Sequence, residues 1–170
     1  MPSYQVRPAV DSDADQVAAV HASSSHAAYE NIAPGAAPLA IEKRRAFWRD
    51  AIEYAEPLLQ VAFDAARMAG FVGFDRSRDP KSKATTGEIW AIYVEPSLWG
   101  TGAGLALWDA AREGLIEEGC TEVTLWIPLA NERALRFFEL AGFKREINTA
   151  KTALIGGVKL EEIRLRRTLD

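Results

Sequence analysis

Residues 92–107 read Ile-Tyr-Val-Glu-Pro-Ser-Leu-Trp-Gly-Thr-Gly-Ala-Gly-Leu-Ala-Leu, a β-branched strand end that passes through a proline turn into three alternate glycines opening an amphipathic helix. Few backbone geometries accept that order. Glycines at 100, 102 and 104 permit positive φ and let a ligand approach bare backbone. The first free N–H groups of the helix point at an anion along the favourable end of its dipole. The segment therefore predicts a phosphate-holding loop that works through backbone N–H groups, so the ligand is expected to be a phosphorylated cofactor.

The glycine spacing separates this loop from two others. Gly-x-Gly-x-x-Gly fails because Gly104 is followed by Leu105 and Pro96 interrupts the preceding strand; Gly-x-x-x-x-Gly-Lys-Ser/Thr occurs nowhere. The pattern that fits is Arg/Gln-x-x-Gly-x-Gly/Ala, with Gly102 and Gly104 in the glycine places and Trp99 in the first. Two further blocks flank it: Gly87-Glu88-Ile-Trp-Ala-Ile-Tyr-Val94-Glu-Pro96 before, and Asn131-Glu-Arg-Ala134-Leu-Arg-Phe137-Phe138-Glu-Leu-Ala-Gly142-Phe143 after. On these three blocks, spanning 88–143, the chain resembles the GCN5-related N-acetyltransferase superfamily. It departs from the pattern at Trp99, where Arg or Gln is usual, and at Phe138, where Tyr is usual.

The resemblance implies an α/β fold: a single N-acetyltransferase domain over 1–170 whose central, mixed, mostly antiparallel sheet is flanked by helices. It implies an acyltransferase with acetyl-CoA as co-substrate, passing the acetyl group to an amine by direct transfer in a ternary complex. The pyrophosphate would meet Gly100, Thr101, Gly102, Ala103, Gly104 and Leu105, with Trp99 at the flank. The pantetheine arm would insert beside the splayed strand 88–94, along Ile92, Tyr93 and Val94, with Ile127 and Asn131 opposite and Ala134, Phe137 and Phe138 on the following helix. The Val94 N–H would meet the thioester oxygen.

Glu88 lies eleven positions before Trp99 and matches the general base of several members; the alternative is a solvated carboxylate at a strand start. Alternation predicts Glu88, Trp90, Ile92 and Val94 on one face. Phe138 has no hydroxyl to protonate a departing thiolate, and Tyr93 is a substitute that alternation turns away from Glu88. A reading from another class follows from Phe138: a non-catalytic acyl-CoA-binding or sensing domain. The intact glycines oppose a third, a structural domain without cofactor.

Composition narrows the partners. The chain has 170 residues, 48% of them apolar, enough for one core, and its net charge of −4 argues against nucleic acid. With no run of 18 apolar residues and no cleavable apolar leader, no membrane association and a cytoplasmic location are expected. Cys120 is the only cysteine, and His21 and His26 lack a third ligand at metal spacing, so no metal is expected. The expected partner is a small-molecule or peptide amine whose identity the fold does not choose. Tyr29, Trp48 and Trp90 are candidates for an acceptor pocket or for core, and Arg133 and Arg136 for a coenzyme phosphate. Arg164, Arg166 and Arg167 suggest an edge-protecting or dimer-facing last strand, which leaves a homodimer open.

Patterning predicts strands at 4–8, 58–63, 68–74, 88–94, 121–127, 143–148 and 161–167. Helices are predicted from the acidic cap at 11–15 to about 22, over 39–54 with Phe47, Ile52 and Trp48 packed inward, and over 102–118 and 131–141. Residues 23–38 are expected to be irregular or broken helix and 151–157 a turn-rich connection.

Overall fold

The computed structural model describes residues 3–38 and 40–170. Its elements follow the expected order: β1 (Gln5–Pro8), α1 (Ala14–Tyr29), α2 (Ile41–Tyr54), β2 (Leu58–Asp64), β3 (Arg67–Arg76), β4 (Thr86–Val94), α3 (Ala103–Glu117), β5 (Glu122–Pro128), α4 (Glu132–Leu140), β6 (Lys144–Ile155) and β7 (Val158–Thr168). The seven strands form one sheet in the order β1-β2-β3-β4-β5-β7-β6. Every neighbouring pair is antiparallel except β4 and β5.

Both faces of the sheet are covered, which explains why β3 reads as a nearly continuous apolar run. Val61 and Phe71 pack with Val17 of α1 and Trp48 of α2 on one face. Val72 and Phe74 pack with Leu107 and Leu115 of α3 on the other, where Leu135 and Phe138 of α4 join the same core.

Four local expectations change. Helix α1 does not stop near residue 22 but continues to Tyr29. Serines at 23–25 are poor helix formers, yet Ser24 and Ser25 are buried and Ser23 Oγ reaches the Val20 carbonyl and the Glu95 carboxylate, so packing overrides propensity. In α2, Trp48 and Ala51 are buried as the helical pattern requires, but Phe47 is 44% exposed; residue 39, the expected first position of this helix, lies outside the described residues. Residues 151–157 are not a connection. They continue β6 to the Gly156-Gly157 turn of a long hairpin, and the break seen in the sequence is an irregularity between Glu146 and Lys151, where Thr149 Oγ1 donates to the Glu146 carbonyl and accepts the Arg164 N–H. Finally, β7 lies between β5 and β6, so its arginines protect no edge. Arg164 pairs with Asp79 and Glu146, and Arg166 with Glu122 and Glu146.

Candidate active site

The seam between β4 and β5 holds for only three residue pairs, Thr86–Glu122, Gly87–Val123 and Glu88–Thr124, and then opens. What β4 presents to that opening follows from its ladder with β3. The Glu95 N–H donates to the Ala69 carbonyl, which makes Gly70–Val94, and two residues back Val72–Ile92, non-hydrogen-bonded pairs of the antiparallel ladder. In such pairs the N–H and C=O groups face away from the partner strand. Ile92 and Val94 therefore direct main-chain donors and acceptors toward β5, into the wedge. The Val94 carbonyl is met by the Trp99 indole N–H at 2.8 Å.

The wedge continues into a narrow cleft. Ile92, Tyr93, Val94, Trp99 and Gly104 form one side; Asn131, Ala134, Phe137 and Phe138 form the other, with Ser24 and Tyr29 of α1 at the end. Asn131 caps α4, its Oδ1 accepting the Ala134 N–H at 3.2 Å. The Trp99 ring lies under the Arg133 guanidinium at 3.5 Å, so this departure from the family pattern stacks a cation beside the loop. Arg136 does not line the cleft.

Gly100, Thr101, Gly102, Ala103 and Leu105 wrap the start of α3. Gly100 and Gly102 adopt φ of +77° and +96°, and a Cβ at either would meet open space. Because the Ala106 N–H is the first bonded back, to the Gly102 carbonyl, the N–H groups of Ala103, Gly104 and Leu105 have no acceptor within the helix. The Thr101 hydroxyl is occupied, donating to the Leu98 carbonyl and meeting the Tyr4 hydroxyl at 2.6 Å. Gly104 differs from its neighbours. A Cβ there would come 3.3 Å from Phe137 Cζ, so this glycine lets the Phe137 ring of α4 approach the start of α3.

Glu88 is 2% exposed and lies outside both clefts. Its Oε1 accepts the backbone N–H and Nε of Arg78, and its Oε2 accepts Arg78 Nη2 at 2.6 Å. The expected alternation fails at Trp90, which is an extra residue on β4: Gly73 pairs with Ala91 but Phe74 with Ile89. Ile89, Ile92 and Val94 consequently pack on the α3 face, and Glu88 shares the opposite face with Ala91 and Tyr93. No local sequence signal marks Arg78 as the partner of Glu88. The β3–β4 register brings the loop after β3 back over it.

A second cleft, about 960 Å³, opens on the α1 and α2 side. Tyr29, Trp48 and Trp90 all line it, together with Arg44 and Phe47 of α2, Arg78, and the 33–38 loop. The β6–β7 tip closes it through Leu154, Ile155 and Gly156. There the Ala37 N–H donates to the Gly156 carbonyl at 2.8 Å, and a Cβ on Gly156 would come 2.6 Å from Ala37 N. Tyr29 and Tyr93 line both clefts and mark where the two meet.

The groups around this junction are held neutral. Burial raises the Tyr29 phenol well above its ordinary range, with Tyr93 and Glu162 adding to the shift. Burial also raises Tyr93, against the opposing influence of Ser25 and Arg44. His21 lies on Tyr93, ring centroids 4.5 Å apart, and its Nδ1 accepts the Trp48 indole N–H at 3.1 Å. Burial first, then the Arg44 charge, lowers it to about 4. Cys120 is buried away from both clefts, and burial pushes its thiol up, as suits an inert side chain.

A strand wedge lined by main-chain groups leads to a helix start behind a glycine loop, the arrangement that the sequence resemblance anticipates. The pattern of the acetyltransferase (GNAT) family matches residues 25–143, and the chain belongs to that family. It is 32% identical over 133 residues to the mycothiol acetyltransferase of Propionibacterium freudenreichii subsp. shermanii, covering 78% of this chain and 40% of that protein. The chain thus spans less than half the length of the curated relatives it matches. Two solved structures share the fold at 18% identity. An N-acetyltransferase from Staphylococcus aureus Mu50 superposes with a TM-score of 0.77, covering 99% of each chain. The yncA protein of Salmonella typhimurium, solved with its cofactor acetyl-CoA, superposes at 0.76 over 98% of this chain and 94% of its own.

Proposed function

We propose that this protein is an N-acetyltransferase that transfers the acetyl group of acetyl-CoA directly to an amine, with both substrates bound. The observation that carries this reading is the junction itself. A wedge into which Ile92 and Val94 direct their main-chain N–H groups meets a larger cleft at two protonated phenols, Tyr29 and Tyr93. The residues suit the coenzyme on three counts: the wedge offers a strand edge that β5 does not pair, the loop offers bare backbone at Gly100 and Gly102, and the buried Ser24 hydroxyl has no hydrogen-bond partner among the described residues.

When bound, acetyl-CoA supplies an activated acyl group and a thiolate leaving group. This chain's part is largely positioning. The N–H groups at the start of α3 bind phosphate, Ile92 and Val94 align the arm, and the Val94 N–H supplies a preorganised donor for charge developing on the acyl oxygen. Phe138 donates no proton, so Tyr29 is the hydroxyl this reading assigns to the departing thiolate; its raised pKa keeps it a donor. The amine loses its proton either to Glu88 through water, which requires the Arg78 pair to open, or to bulk water, with Glu88 serving to hold Arg78 against Trp90 at 4.1 Å. Glu88→Gln separates the two: a proton-accepting role predicts a loss of turnover largest at low pH, a holding role a loss independent of pH.

Phe138 favours a second reading, a non-catalytic acyl-CoA-binding or sensing domain. The deciding experiment pairs calorimetry of acetyl-CoA binding with free-thiol release over an amine panel, on wild type and Gly102→Glu. The enzyme reading expects binding and thiol release by wild type, and loss of both in the folded variant, because the glutamate places bulk and negative charge at the helix start. Binding without thiol release for any amine leaves the sensing domain. Unchanged affinity in the variant overturns the phosphate-loop assignment.

A further inference from the structure

The larger cleft carries an unbalanced positive charge. On α2, Arg45 is tied to Asp15 and Glu42, and Arg49 reaches Asp15. Among the described residues no carboxylate comes within salt-bridge distance of Arg44, which lines the cleft one helical turn before Trp48. Arg44 is half-buried and near enough to His21 and Tyr93 for its charge to act on both. The other cation of the wall, Arg78, is already neutralised by Glu88. Among the described residues the one acidic side chain lining the cleft, Glu30, is exposed beside His26. The same cleft is lined by aromatic side chains, Phe47, Trp48, Trp90 and Tyr93.

A cation in an aromatic-lined cleft, partly withdrawn from water and left without a counter-ion, is a binding site for an anion that arrives with the ligand. Arg44 lines only the larger cleft, not the narrow one assigned to the coenzyme arm. Resting on the acetyltransferase reading, we propose that the acceptor is an α-amino acid or close analogue with an apolar side chain, whose carboxylate is received by Arg44 while its amine is presented at the Tyr29–Tyr93 junction. The aromatic walls then take the side chain. Such a ligand fits within a cleft of about 960 Å³.

The test uses matched pairs: apolar α-amino acids and their primary carboxamides, which keep the amine and side chain but lose the negative charge. Thiol release should favour the acid over its amide. In Arg44→Gln the acids should lose about 10- to 100-fold in kcat/KM, as expected for a hydrogen bond to a charged group, while the amides change little. Arg44→Lys should restore part of the preference, since it returns charge without the planar fork. Acetyl-CoA affinity by calorimetry should be the same in all three proteins. Equal use of acids and amides by wild type, or a preference that survives Arg44→Gln, overturns the proposal; so does a weakened acetyl-CoA affinity in that variant, which would assign Arg44 to the coenzyme. Titrating the same pairs against the fluorescence of the cleft tryptophans, Trp48 and Trp90, reads the subsite without turnover. Acid-selective quenching lost in Arg44→Gln supports it even if acetyl-CoA binding or thiol release fails, an outcome that would sink only the acetyltransferase reading. No acid-selective response in either assay sinks the subsite.

Discussion

Single side chains near the junction are tuned by burial, and His21 shows the consequence most directly. Its native pKa of about 4 lies below the ordinary histidine value of about 6.5, so between those values the unfolded chain takes up a proton that the native protein refuses. The stabilising contribution is complete above about pH 6.5 and is lost as pH falls toward 4, amounting to at most about 3 kcal/mol. His21→Asn keeps an acceptor for the Trp48 indole but cannot titrate. Urea unfolding across that range should therefore show a shallower decline in the variant than in wild type, and identical slopes would remove His21 as the cause. Residue chemistry was only partly readable from the sequence. Phe138 was seen as lacking a hydroxyl, and it is 3% exposed with its ring against Phe137 and Phe143. The pairing of Glu88 with Arg78 was invisible, because it depends on a register between strands and on a loop returning over a buried carboxylate.

Elements were read best where one periodicity ruled throughout. Strands β2 and β3, helix α3 and the Asn131 cap lie close to their expected positions, since their hydrophobic patterns and end signals agree. The errors fall where tertiary contact overrides local preference: serines inside α1, the extra residue at Trp90 in β4, and the irregularity that splits β6. One extra residue in β4 was enough to move Glu88 to the face of Tyr93, because strand faces alternate with every position. Close packing of α3 on the sheet is equally element-bound. A Cβ at Gly114 would sit 2.5 Å from Cζ of the buried Phe74. Gly114→Ala should destabilise the protein, overpacking of about 1–3 kcal/mol exceeding the ~1 kcal/mol that alanine gains as a helix former. Guanidinium or urea denaturation checks the sign, and a more stable variant would show that the ring can move aside.

For the whole molecule, the sheet is two antiparallel halves joined along a parallel seam of three residue pairs. A ligand that fills the wedge pairs with the free edge of β4 and ties the halves together. Acetyl-CoA at a hundredfold excess over its Kd should add about 2.7 kcal/mol of stability, raising the unfolding midpoint by about 2–4 °C for each kcal/mol. Hydrogen exchange should slow at the Ile92 and Val94 amides in particular; a raised midpoint without protection there would place the coenzyme elsewhere. The two clefts are also drawn from different parts of the chain. The narrow cleft lies almost wholly within the stretch matching the family pattern, whereas the β6–β7 tip that closes the larger one lies beyond it. That tip touches the 33–38 loop through Ala37 and Gly156, like one jaw of a clamp resting on the other. A jaw built this way is exchangeable: grafting a different turn at 154–158 would reshape what the clamp can grip while the narrow cleft at the other end of the junction stays as it is.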